Sequence, residues 1–352
     1  MTPPEYNIGI IGCGKMGKDL FDFLCVFPYP ITLVCRSENI AEQAQSTFDK
    51  KQKRALRYQL INQDTYDFRQ KNTLITTHLK RLTNCNLIIE TITENLNRKR
   101  ELFHQIQPIL SADCVLTSNT SSIPPEKLFT GLANETNCLG LHFFFPVGMK
   151  DIVEINVADS TSKNAVSFVI DFLHKIGRFS ILLTKENHFI INRIFLKTQA
   201  GCCQFLLDDK YSIQEIDSLV KVQLFPIGIF EFFDQVGNDV MLQSVKNYIN
   251  YEDDPGFYLA MITLLEEKVN AGKLGVKTKS GFYEYPLKNP SQSPEEIHEV
   301  LQTIVNWYLD SVFDAFQKSI CTQVELEHIV REYMMIEKSP FKLAKAFNYN
   351  PK

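Results

Sequence analysis

The chain has 352 residues, 44% of them apolar, and a formal charge of −4 from 37 basic and 41 acidic side chains. That is enough apolar material for two or three buried cores. The charge balance excludes nucleic acid or an acidic membrane as a general electrostatic partner. No basic leader or long apolar span stands near the start, so a cytoplasmic protein without membrane segments is expected. The nine cysteines are scattered, only Cys202 and Cys203 adjoining, and form neither a metal-binding pattern nor a disulfide framework.

In chain order, Tyr6 to Ile11 reads as a strand. It is followed at once by Gly12, Gly14 and Gly17 in the spacing G-x-G-x-x-G, and then by Asp19 to Val26 with apolar residues at helical spacing. Strand, glycine turn and helix in that order form a dinucleotide-binding turn, in which the second glycine lets the backbone approach a pyrophosphate at the helix N-terminus. Gly12, Gly14, Lys15, Met16 and Gly17 are therefore cofactor-site candidates. A second strand, Ile31 to Cys35, ends without the acidic residue that commonly receives the adenosine ribose of NAD. Cys35, Arg36 and Ser37 stand there instead. A guanidinium suits a 2′-phosphate, which favours NADP. If Arg36 instead stacks on adenine, NAD is used, and the sequence leaves the two cofactors open. Glu38 is a further, later candidate for the ribose.

Asn39 to Leu60 reads as a long polar helix carrying Lys50, Lys51, Lys53, Arg54 and Arg57, of which Lys50, Lys53, Arg54 and Arg57 recur near one face. Further strands are expected at Leu87 to Glu90, Val115 to Ser118 and Leu139 to Phe144, with helical patterns between them. The alternation implies an α/β fold, an N-terminal Rossmann-type doubly wound parallel sheet. From about Ser162 apolar residues fall mostly at helical spacing, as in Phe189 to Leu207, so an all-α helical domain follows. The expected division is a dinucleotide-binding domain over residues 1–184, a helical substrate and dimerisation domain over 185–286, and a further helical segment over 287–352. Two segments, QEIDSLVK at 214–221 and VELEHIVR at 324–331, resemble each other, so the last segment reads as a degenerate repeat of the one before it. The stretch Pro286 to Pro294 is the clearest linker.

The run LIIETITENLNRKRELF from Leu87, followed by TSNTSS, LHFFFP and IVEI, resembles the 3-hydroxyacyl-CoA dehydrogenases. FIINR, PIGIFEFFDQVG and LGVKTKSGFYEY continue that resemblance through about residues 6 to 286. It implies reversible oxidation of an L-3-hydroxyacyl-CoA to the 3-ketoacyl-CoA with NAD or NADP. His142 would be general base and Glu154, twelve residues on, its carboxylate partner across an intervening loop containing Pro146 and Gly148. Histidine suits the role because its ordinary pKa lies near working pH. Ser121 and Asn192 match substrate ligands of the family. Glu90 and Glu94, with Asn119 beside them, match the region of the nicotinamide ribose, although acids at a helix start have a local electrostatic role as well. Lys50, Lys53, Arg54 and Arg57 would meet the phosphate end of coenzyme A. The family also implies a homodimer through the helical domain, with Phe230, Phe232 and Phe233 as candidate contacts that serve equally well as core.

Two departures stand out. Phe145 occupies the place of a family asparagine in His142 to Pro146, and Asn187-His188 replaces a Pro-Gly before the substrate helix. Losing one polar contact costs on the order of 1–3 kcal/mol, enough to slow turnover but not to abolish it. An acyl-carrier-protein thioester or a free hydroxy acid as substrate, or a non-catalytic nucleotide-binding relative, are the alternative readings.

Overall fold

The computed structural model describes residues 5–184, 189–252, 254–287, 298–318, 320–333, 335–336 and 338–351. Asn187-His188 and most of the Pro286 to Pro294 stretch lie outside the described residues. The chain divides into two compact units, the second beginning at Phe189.

The first unit is built on an eight-stranded sheet. Strands β1 (Ile8–Ile11), β2 (Ile31–Val34), β3 (Thr73–Thr76), β4 (Leu87–Glu90), β5 (Val115–Ser118), β6 (Cys138–Phe143), β7 (Ile152–Asn156) and β8 (Phe179–Leu183) lie in the order β3-β2-β1-β4-β5-β6-β7-β8. The first six are mutually parallel, which brings their C-terminal ends to one edge. The sheet is not parallel throughout, because β7 runs antiparallel to β6. Alternating side chains divide the core. Ile8, Ile10, Leu87 and Ile89 face a cluster with Leu20 and Phe21 of helix α1 (Lys15–Leu24), Ala44 and Phe48 of α2 (Glu38–Arg57), and Phe172 of α6 (Lys163–Lys175). Ile11, Ile88 and Leu116 face the other way, toward Phe103 of α4 (Leu96–Ile106) and Leu128 of the short α5 (Pro125–Leu128). Helix α3 (Gln63–Asn72) leads into β3, and its Arg69 donates to Gln52 of α2 and to the carbonyl of Val26. Strand order reverses between β1 and β4, and that is where an open α/β sheet forms its crevice.

The second unit is helical: α7 (Ile190–Leu207), α8 (Ile213–Gln223), α9 (Ile229–Val236), α10 (Asn238–Tyr248), α11 (Leu259–Asn270), α12 (His298–Gln317), α13 (Gln323–His328) and α14 (Pro340–Ala346). Helix α12 packs along α7 so closely that a Cβ added to Gly201 would lie 2.3 Å from the Trp307 ring. The two similar segments both sit in helices opened by a capping box, Ser212 with Glu215 and Thr322 with Glu325. Asp217 and Asp234 are buried anchors for the turn after α11. Asp217 accepts from Phe230 N, Glu231 N and the Tyr283 hydroxyl, and Asp234 accepts from Phe282 N, Tyr283 N and the Tyr285 hydroxyl. Phe230 and Phe233 are fully buried and pack with Phe282, so these two rings are core and not dimer surface, whereas Phe232 is half-buried. No described helix is long and apolar enough to cross a membrane.

Candidate functional site

The glycine turn joins β1 to α1. Gly12 has φ +113°, and a Cβ there would meet the Thr91 carbonyl at 2.8 Å; one on Gly17 would lie 2.1 Å from the Gly12 carbonyl oxygen. Both positions require glycine on steric grounds. Gly14 differs, since a Cβ there meets nothing within 4 Å, and as N-cap of α1 it provides no side-chain cap. A helix N-terminus without a side-chain cap, beside an open Gly14, suits a pyrophosphate, so these residues fit the dinucleotide that the motif implies. Lys15 and Met16 open the helix itself.

At the tip of β2, Cys35 is buried, and burial pushes its thiol up to about 12, with Cys13 beside it acting in the same direction. It stays protonated at neutral pH and supplies no negative charge. Arg36 is exposed, and the Ser37 hydroxyl makes no capping bond although Ser37 is N-cap of α2. The Glu38 carboxylate accepts from the Thr77 hydroxyl.

At the tip of β4 the Glu90 carboxylate, 0% exposed, accepts from Lys99 Nζ at 2.8 and 2.9 Å, from the Ser118 hydroxyl and from Ile92 N. Burial pushes this carboxyl up more than Lys99 and the hydrogen bonds draw it down. Enclosed in this way, Glu90 has no exposed oxygen, and it ties β4 to β5 through Ser118. Lys99, 1% exposed, was not singled out from sequence. Its signal was its spacing, four and seven residues before the buried Phe103 and Ile106 on one face of α4. Glu94 lies beside the same lysine, at 3.3 Å, and shapes the turn after β5 by accepting from the Thr120 and Ser122 hydroxyls and from Ser121 N. The Asn119 side chain accepts from Phe143 N at 2.9 Å and so couples that turn to β6.

His142 and Glu154 are directly opposed across the antiparallel pair β6 and β7, not brought together through a loop. Nδ1 of His142 lies 2.7 Å from Glu154 Oε2, with the two residues 6% and 0% exposed, and the Phe144 ring packs against the imidazole at 4.2 Å. A buried carboxylate on Nδ1 fixes the ring orientation. The glycine turn, the Ser118 to Ser122 turn and His142 all stand at the C-terminal edge of the parallel strands. The basic residues do not. Lys50, Lys53, Arg54 and Arg57 are exposed on the far half of α2, about 18–28 Å along its axis from Glu38. Lys51 pairs with Asp22 near the end of α1. Asn192 belongs to the second unit, near the start of α7, where its amide donates to the Tyr248 hydroxyl at 2.7 Å.

Known proteins give a consistent comparison. Residues 7–187 match the 3-hydroxyacyl-CoA dehydrogenase NAD binding domain, and residues 189–285 match the C-terminal domain of the same family. A probable 3-hydroxyacyl-CoA dehydrogenase of Caenorhabditis elegans is 27% identical over 290 residues, 79% of this chain and 95% of that protein. A 3-hydroxybutyryl-CoA dehydrogenase of Clostridioides difficile is 27% identical over 280 residues, 79% of this chain and 99% of that one. Among solved structures, the (S)-3-hydroxybutyryl-CoA dehydrogenase of Ralstonia eutropha is similar with TM-score 0.70 and 27% identity, over 80% of this chain and 99% of that chain. The 3-hydroxybutyryl-CoA dehydrogenase of Escherichia coli K12 shares the fold over 97% of this chain and 91% of its own, with TM-score 0.81 and 17% identity.

Proposed function

The chain belongs to the 3-hydroxyacyl-CoA dehydrogenase family, and from that premise we propose that it interconverts an L-3-hydroxyacyl-CoA and the 3-ketoacyl-CoA, with His142 as general base and acid. The observation that carries this reading is the buried 2.7 Å pair of His142 and Glu154 at the C-terminal edge of the sheet. When bound, the nicotinamide supplies the hydride acceptor in one direction and the hydride donor in the other. In the oxidative direction His142 takes the proton of the substrate hydroxyl. With Nδ1 turned to Glu154, Nε2 is the nitrogen that exchanges the proton in this reading, and the carboxylate stabilises the cation that forms. Ser121, on the turn that Glu94 shapes, holds the substrate oxygen. Asn192 is retained as a second substrate ligand on the family resemblance.

The adenosine end favours NADP(H). Cys35 is uncharged there, Arg36 is exposed, and Ser37 makes no capping bond, a combination that suits a 2′-phosphate better than a bare ribose. The test is absorbance at the reduced-nicotinamide band with acetoacetyl-CoA and either NADH or NADPH. Turnover that is lost in His142→Gln, with dinucleotide binding retained, is the expected result. Absence of turnover and of binding with both dinucleotides would refute the function. Full activity in His142→Gln would reassign the base.

A further inference from the structure

The Phe145 departure does more than remove a polar side chain. Its ring, 45% exposed, lies under the ammonium of Lys15, with Nζ 4.1 Å from the ring centroid. Lys15 is the first residue of α1, directly after the open Gly14, so its backbone belongs to the glycine turn. The loop bearing Phe145 is held on both sides. Asn119 accepts from Phe143 N, Asp19 of α1 accepts from Val147 N, and Arg178 donates to the Val147 carbonyl at 2.9 Å. These ties fix the ring relative to the start of α1. Among the described residues Lys15 has no carboxylate partner in an ion pair, and its position is set by an aromatic face.

That difference matters for an incoming anion. A carboxylate would neutralise the ammonium and compete with a phosphate, whereas an aromatic quadrupole holds the cation only weakly and leaves its charge available. A phosphate oxygen then makes the stronger, charge-assisted bond. We propose that Lys15 is a pyrophosphate ligand of this enzyme and that Phe145 is its positioning residue, so that the substitution following His142 shifts part of dinucleotide recognition onto a lysine–phenylalanine pair. The proposal rests on the reading of the glycine turn as a dinucleotide site.

The experiment is calorimetric titration of the full-length protein with NADH, NADPH, ADP-ribose and adenosine, at low and high salt. Lys15→Met is expected to weaken the first three about tenfold, leave adenosine unchanged and flatten the salt dependence, with Lys15→Arg recovering most of the loss. Phe145→Leu keeps an apolar side chain but removes the quadrupole. It is expected to weaken the same three ligands about threefold to tenfold, while Phe145→Tyr retains wild-type affinity. A purely packing role for Phe145 would weaken adenosine equally, or would not be rescued by tyrosine, and either result overturns the proposal. So does wild-type affinity in Phe145→Leu. If the wild-type protein bound none of the four ligands, the dinucleotide reading would fall, and this proposal with it. Binding by wild type that is insensitive to both substitutions would sink the proposal alone.

Discussion

Glu154→Gln is the most direct test of how the site works. The substitution keeps the side-chain shape at a position that is 0% exposed and opposite His142 across β6 and β7, so the 2.7 Å contact is replaced by a neutral one of similar length. A hydrogen bond to a charged group contributes about 1.5–3 kcal/mol, against about 0.5–1.5 for a neutral one. The full difference is felt only when the imidazole becomes cationic, as it does while the hydroxyl proton is taken. An amide also offers N–H toward Nδ1, which opposes the tautomer that takes a proton on Nε2. Together these give a barrier increase of about 1.5–3 kcal/mol, or roughly 10- to 150-fold in kcat. The assay is steady-state oxidation of L-3-hydroxybutyryl-CoA at saturating oxidised dinucleotide, with thermal unfolding measured in parallel to separate a chemical loss from a folding loss. A folded Glu154→Gln variant with kcat within twofold of wild type would refute the assignment of Glu154 as the partner that stabilises His142.

Three further outcomes are expected. Arg36→Ala lowers NADPH affinity by about 10- to 100-fold and leaves NADH within twofold, measured by fluorescence titration; equal losses would remove the case for a 2′-phosphate site. Gly201→Ala forces a methyl against Trp307 and costs about 1–3 kcal/mol in urea unfolding, because α7 and α12 have no room to part without losing contact elsewhere. Unchanged stability would show that this packing yields easily. Burial pushes the Asp217 carboxyl up to about 6 from its ordinary 3.8, so the folded protein binds that proton more tightly than the unfolded chain. The contribution to stability is therefore fully present below about pH 4 and is lost as pH rises through about 6, by about 3 kcal/mol. Urea unfolding at intervals from pH 4 to 7 should show this slope flattened in Asp217→Asn, and parallel curves for the two proteins would contradict it.

The central strands were legible because they are buried on both faces. Leu87 to Glu90 and Val115 to Ser118 appear in the structure with the bounds expected from their apolar runs. Strand β3 escaped because it lies at the sheet edge with its side chains only half-buried, and a Thr-Leu-Ile-Thr run carries little apolar signal. Strand β7 escaped for the opposite reason. Glu154 and Asn156 are fully buried within it, and polar residues in a strand core interrupt the pattern that marks a strand. The long helix after β2 ends at Arg57, where Gln59 takes φ +56°, a little earlier than its polar pattern suggested.

The sequence by itself marked the glycine turn, and its resemblance to the family implied the pairing of His142 with Glu154. Gly12 and Gly17 answer a steric demand that is local in the chain, and the ordered motifs place the histidine and the carboxylate a short span apart. Only the tertiary structure decided how those groups are held. An antiparallel strand, not a loop, sets Glu154 opposite His142. A lysine from α4 encloses the Glu90 carboxylate. Phe145 reaches Lys15 because Asp19 and Asn119 fix the loop between them. Each of these depends on burial and on contacts between elements distant in the chain, where the free energy of a charge or a ring is set by neighbours that sequence spacing does not specify.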